Sequence, residues 1–203
     1  MDVGTAVASA WSAGISMYGV LAVLGIAGRL DWIRAPEALE QPWLIGVFLA
    51  LFAFEFVVDK IAFLDSGWDA IHTVLRPIAG AYITSVAPEQ DLPLVLAAAI
   101  GAGLALTSHA AKASTRALVN TSPEPASNVV VSLAEDALVA VVMSFAIAYP
   151  AIAFGITVVL VVLSSIVAVV MARFIMRLWR RFQAWRRRRA SRRLGGGPAP
   201  APP

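Results

Sequence analysis

The sequence predicts an all-α, polytopic membrane protein of about six transmembrane helices, and three observations carry that prediction. Of its 203 residues, 59% are hydrophobic and only 14% charged, with a mean hydropathy of +0.77, whereas about a quarter of a soluble domain is charged. The apolar residues gather into runs approaching the roughly 20 helical residues that a hydrocarbon core requires. Inside and between those runs stand charged residues, beginning at Phe54-Glu55-Phe56-Val57-Val58-Asp59-Lys60 and continuing through Asp65 and Asp69. An ionised side chain near the bilayer centre costs at least about 2.5 to 3.5 kcal/mol, so such a set needs partners, water or a purpose.

Residues 3–26 read as the first span, with Ser9, Ser12 and Ser16 on one face for close helix packing. No basic n-region precedes it and no persuasive cleavage site follows, so it is expected to be retained rather than removed as a signal peptide. Residues 29–42 form a polar loop in which Pro36 and Pro42 stop regular structure. The second span covers 43–64 and places Glu55 and Asp59 one helical turn apart on one face. Asp65, Asp69, His72 and Arg76 also share a face if the helix continues past Gly67. The third span, 68–86, holds Arg76-Pro77 well inside it, and Pro77, lacking a backbone donor, favours a break or kink.

After an acidic, proline-bearing turn at 87–93, the fourth span opens over 94–107, where Gly101 and Gly103 permit close backbone approach. Its end presents a basic face of His109, Lys112 and Arg116, with Asn120 further along it. Residues 120–128 carry strong turn chemistry and offer Ser127 or Asn128 as an N-cap. The fifth span, 129–149, contains the adjacent acids Glu135 and Asp136, which point about 100° apart on a helix. Asn128, Ser132 and Asp136 share a face, which favours Asp136 as the more inward acid. The sixth span, 151–170, is interrupted only by Ser164 and Ser165.

Three regions follow: a transmembrane helical domain over 1–172, a basic juxtamembrane helix over 173–194 and a disordered Gly/Pro/Ala tail over 195–203. Ten arginines and no acids lie from Arg173 onward, so residues 1–172 hold six basic and thirteen acidic residues, a net of −7. The basicity belongs to the end of the chain, which argues against a nucleic-acid partner for the whole protein. Trp179, Phe182 and Trp185 interleave with those arginines, the composition of a helix lying along anionic headgroups. An arginine-rich end belongs in the cytoplasm, and six spans then bring both termini there. The two halves have a similar plan of three spans each, compatible with inverted repeats, although residue identity between them is too weak to establish it.

At Glu55-Phe56-Val57-Val58-Asp59-Lys60, Asp65-Ser66-Gly67-Trp68-Asp69 and Arg76-Pro77-Ile78-Ala79-Gly80, the chain resembles a bacterial integral-membrane family catalogued as domain of unknown function 4126. His109-Ala110-Ala111-Lys112-Ala113, Ser122-Pro123-Glu124-Pro125-Ala126-Ser127-Asn128 and Glu135-Asp136 extend the resemblance through the second half. It covers about residues 10–175 and implies a multi-span protein of the bacterial inner membrane, with no activity attached.

The candidate substrate- or ion-binding residues are the acids Glu55, Asp59, Asp65, Asp69, Glu135 and Asp136, the bases Lys60, Arg76, Lys112 and Arg116, and His109. The expectation is a transporter or channel for a small ion, with proton coupling as one form, and the excess of acids favours a cation or proton. Asp59, Asp136, Lys60 and Lys112 stand foremost. The plainer reading is a set of structural salt bridges. Two further readings stay open: a lipid-phosphate binding protein or enzyme, with His109, Lys112 and Arg116 on phosphate and Asp59, Asp65 and Asp69 on a divalent metal, or a scaffold or partner-binding subunit; under any of them the chain is compatible with a homo-oligomer. The spacing matches no phosphatase or phosphotransferase signature, and no cofactor is indicated. With no cysteine, disulfides and thiolate metal sites are excluded.

Overall fold

The computed structural model describes residues 1–87, 92–119 and 125–194. The turn acids Glu89 and Asp91, Asn120 with the turn up to Glu124, and the tail at 195–203 lie outside the described residues. Among the described residues every regular element is a helix: α1 (Val3–Ala13), α2 (Met17–Arg29), α3 (Pro42–Val58), α4 (Ala62–Ser85), α5 (Leu94–Val119), α6 (Pro125–Ala148) and α7 (Pro150–Leu194). The chain divides into a unit of residues 1–168 and a second of 169–203. Three helices start at proline, where the missing N–H is one that the first turn leaves unbonded anyway.

Three helices are long and apolar enough to cross a membrane, Leu94–Val119, Ala126–Ala148 and Pro150–Ala184, and two shorter helices, α2 and α3, are apolar as well. In the first unit an apolar core that includes Trp11, Leu24 and Ile83 is accompanied by buried charges and an apolar exterior. Val95 is 81% exposed, and Leu94, Trp43 and Val130 also face outward, while Glu55, Asp65, Arg76 and Arg116 are buried. An exterior of large apolar side chains and an interior of charges is what an apolar solvent selects.

The segment expected as one span over 3–26 is instead two antiparallel helices. α1 starts beside the end of α6, where Thr5 Oγ1 donates to the Ala146 carbonyl at 2.7 Å and Ser9 lies 3.7 Å from the Met143 sulfur. It ends where Lys112 Nζ donates to the Ile15 carbonyl at 3.0 Å and Ser16 Oγ lies 3.4 Å from Glu55. α2 then returns against α3, with Gly19 on Phe52 and Gly25 on Leu39 and Ile45. Since α3 runs towards Asp59, whose carbonyl meets Asn128 near the start of α6, the beginning of α1 and the end of α2 lie at the same end of the bundle. The result is a helical hairpin whose tip, Gly14 to Ser16, is buried at the level of the charges.

At the tip the neighbours allow only a glycine: a Cβ on Gly14 would collide with the Ala105 carbonyl and the Ser108 hydroxyl. Ser16 then leaves helical geometry at φ −139° and ψ 85°. α1 and α2 have 11 and 13 residues, about 16 and 20 Å of helix, against a hydrocarbon core of about 30 Å. α5, the corresponding element of the second half, is one unbroken helix of 26 residues, so the halves do not share the expected plan. α2 closes with Trp32 N–H on the Ala27 carbonyl and Asp31 N–H on Gly28, a Schellman motif for which Asp31 adopts a positive φ of 58°.

The expected second span stops at Val58, and Asp59 to Ile61 connect α3 to α4 outside the helices. α4 continues through Pro77 without the expected break. α4 and α5 approach closely at Gly80 and Gly101, where a Cβ on either would strike the other's carbonyl oxygen; Gly103, expected to act likewise, faces open space. α6 begins at Pro125, so Ser127 and Asn128 sit inside its first turn rather than capping it. In the second unit α7 stays helical through the arginine run, with Phe174, Trp179 and Phe182 exposed among Arg173, Arg177, Arg180 and Arg181.

Candidate functional site

α3, α4 and α5 build the first cluster around Arg76. Its guanidinium donates to Glu55 Oε1 and to Asp69 Oδ1, both at 2.9 Å, and to His109 Nδ1 at 2.6 Å. A guanidinium can only donate, so His109 Nδ1 accepts and the ring proton resides on Nε2. Nε2 then donates to Thr73 Oγ1 at 3.0 Å, and the Thr73 hydroxyl donates to the Asp69 carbonyl at 2.9 Å. One turn away His72 Nδ1 donates to the Trp68 carbonyl at 2.8 Å, which leaves Nε2 to accept from the Tyr18 hydroxyl at 3.2 Å.

The second cluster lies where the α3–α4 connection meets α5, α6 and the hairpin tip. Lys112 Nζ contacts Asp59 Oδ2 at 2.5 Å, the Ile15 carbonyl at 3.0 Å and Glu135 at 4.0 Å. Arg116 holds Glu135 Oε2 through Nη2 at 2.6 Å and Nε at 3.2 Å. Its Nη1 donates to the Asp59 carbonyl at 2.6 Å and to Asn128 Oδ1 at 2.8 Å, with Asp65 at 3.9 Å. Asn128 Nδ2 donates to the same Asp59 carbonyl at 3.2 Å. Where the helix ends after Val58, the Asp59 carbonyl is therefore satisfied by side chains from α5 and α6, while the N–H groups of Asp59, Lys60 and Ile61 bond back to α3 carbonyls, as a non-helical stretch in an apolar interior requires.

The third grouping is looser. Lys60 and Asp136 approach to 3.9 Å, with side chains 20% and 19% exposed. Lys60 Nζ donates instead to the Phe56 carbonyl at 2.8 Å, lies 3.4 Å from Ser132 Oγ and sits 3.0 Å from the centre of the Phe56 ring. Asp136 Oδ2 is buried with no hydrogen-bond partner among the described residues, and so are Asp59 Oδ1 and Asp69 Oδ2.

The eleven candidate residues thus fall into three groups: Glu55, Asp69, Arg76 and His109; Asp59, Asp65, Lys112, Arg116 and Glu135; and Lys60 with Asp136. Glu55 and Asp59, expected on one face, serve different cations. Glu135, expected to be less inward than Asp136, is the acid that grips Arg116, because the 100° between neighbours aims the two at different cations. The structure adds Ser16, Thr73 and the carbonyls of Ile15 and Asp59. Thr73, one turn after Asp69, was open to periodicity; a backbone carbonyl leaves no mark in a sequence. Among the described residues no group of three or more His, Cys, Asp or Glu is arranged to hold a metal ion. Asp59 and Asp69 turn to different cations, and His109, Lys112 and Arg116 are each bonded within the protein rather than forming an open basic face.

Apolar helices long enough to span, an apolar exterior and a charged interior define a helical membrane protein. The chain belongs to the family described as Domain of unknown function (DUF4126), whose model matches residues 3–171. No curated protein and no solved structure matches it.

Proposed function

We propose that the protein moves a small cation or protons across a membrane, as a transporter or channel, through its charged interior. A charge imbalance carries this reading. Among the described residues, the interior acids Glu55, Asp59, Asp65, Asp69, Glu135 and Asp136 outnumber the bases Lys60, Arg76, Lys112 and Arg116 by six to four, inside an apolar exterior. Low dielectric penalises the surplus, and carboxylates relieve it by taking up protons or a cation. Asp59 and Asp136, each with an oxygen lacking a hydrogen-bond partner, are where the mobile charge binds, and Lys112 and Lys60 are the fixed charges it competes with.

In membrane terms α1 and α2 form a re-entrant hairpin, and α3 to α7 make five crossings. Unwound backbone is tolerated at depth where protein buries it, and broken helices form ion sites in secondary transporters. The arginines from Arg173 onward, carried on the latter part of α7, belong at the cytoplasm by the excess of positive charge and bind anionic headgroups. The N-terminus then lies on the opposite face, in place of six spans with both termini cytoplasmic. The family resemblance points to a bacterial inner membrane.

The test is flux in proteoliposomes under imposed proton, sodium, potassium, magnesium and phosphate gradients. Flux that is present in the native chain and absent in Asp136→Asn and Asp59→Asn supports the proposal. A second reading, in which the charges only tie helices together, is favoured by how fully Arg116 is engaged; flux unchanged in both folded variants removes the carboxylate mechanism.

A further inference from the structure

We infer that the cavity between α2, α3 and α6 binds an organic cation, an ammonium group carrying an apolar body, with Asp136 as its counter-charge. The cavity holds about 280 Å³. Gly19, Ala22, Phe52, Val139 and Met143 give it mostly apolar walls, and Asp136 supplies its one ionisable group. Asp136 Oδ2 is buried without a hydrogen-bond partner; its ion pair with the Lys60 ammonium is long, 3.9 Å, because Lys60 donates to the Phe56 carbonyl and sits over the Phe56 ring.

The chemistry of the walls selects the ligand. An inorganic cation surrenders its water only for several oxygen ligands at once. Here one carboxylate is accompanied by two hydroxyls, Ser16 directed to Glu55 and Ser144 bonded to the Ala140 carbonyl. An organic ammonium needs less: one counter-charge, an aromatic neighbour and apolar surface for its carbon frame. Phe52 and the aliphatic walls offer that surface. This assigns a substrate class to the cation reading above and depends on it for transport, but not for binding.

The experiment is equilibrium binding of radiolabelled benzyltrimethylammonium to the purified full-length chain in detergent, with the neutral isostere neopentylbenzene as competitor. Binding is expected to weaken about tenfold or more in Asp136→Asn, since the counter-charge is lost in low dielectric. Ala140→Phe, which adds a ring at the cavity wall while keeping Asp136, is expected to abolish it. The neutral isostere should compete poorly against the native chain. Equal affinity in native and Asp136→Asn protein, effective competition by the isostere, or full binding to Ala140→Phe would each overturn the inference and leave a void for acyl chains. Proton flux without ammonium binding overturns this inference alone; ammonium binding without flux supports it and overturns only the transport reading.

Discussion

Arg116 and Asp136 are both charged side chains in the interior of one bundle, yet the protein treats them in opposite ways. Arg116 is 1% exposed and is held by Glu135, Asn128 and the Asp59 carbonyl. Asp136 is partly exposed, meets one cation at 3.9 Å and keeps a bare oxygen. A charge locked by several short bonds cannot exchange partners without large cost, so it builds the frame. A charge with an acceptor free of hydrogen bonds beside a cavity is the group on which the proposed cation binding rests.

Breaking the locked side should cost most. Arg116→Leu strips the donors from Glu135, Asn128 and the Asp59 carbonyl, and removing one partner of a buried pair costs about 3–5 kcal/mol; the expected outcome is a large drop in the midpoint of thermal unfolding in detergent, or no folded protein. Gly101→Val is next. Its side chain meets the Gly80 carbonyl and Thr84 Oγ1, and overpacking against backbone should cost about 3 kcal/mol or more by the same assay.

On the labile side, Asp136→Asn should change stability by no more than about 1 kcal/mol while abolishing flux. A loss of stability equal to that of Arg116→Leu would erase the distinction. The one substitution expected to cost nothing is Gly103→Ala, where a Cβ meets nothing within 4 Å: a gain of up to about 1 kcal/mol, because helix propensity favours alanine and no contact opposes it. A large loss there would mean that α5 packs on something further at Gly103.

Much of this was legible beforehand. The apolar runs announced the helices, and the Asp69–Arg76 and Lys112–Arg116 spacings announced charged faces, because helical period is local. The family resemblance, too, rested on the charged stretches that became the site. The pairing of those faces was not legible. Glu55 and Asp59 look equivalent at one turn's separation, yet the chain leaves the helix at Asp59, and the two carboxylates reach Arg76 and Lys112 on different neighbours. Pro77 promised a break that α4 does not make, while the breaks at Gly14 to Ser16 and after Val58 lay in runs that read as continuous.

By itself the sequence determined that the chain is helical, that its surface is apolar and that a surplus of acids lies inside, since each follows from composition and from period along one strand of chain. Only the tertiary structure decided that residues 3–29 turn back as a hairpin and that its tip carbonyl meets Lys112. The physical reason is that a turn at Gly14 depends on how closely Ala105 and Ser108 approach it. The bonds that hold the tip end on a backbone carbonyl, which every residue carries and which gains meaning only from what packs beside it.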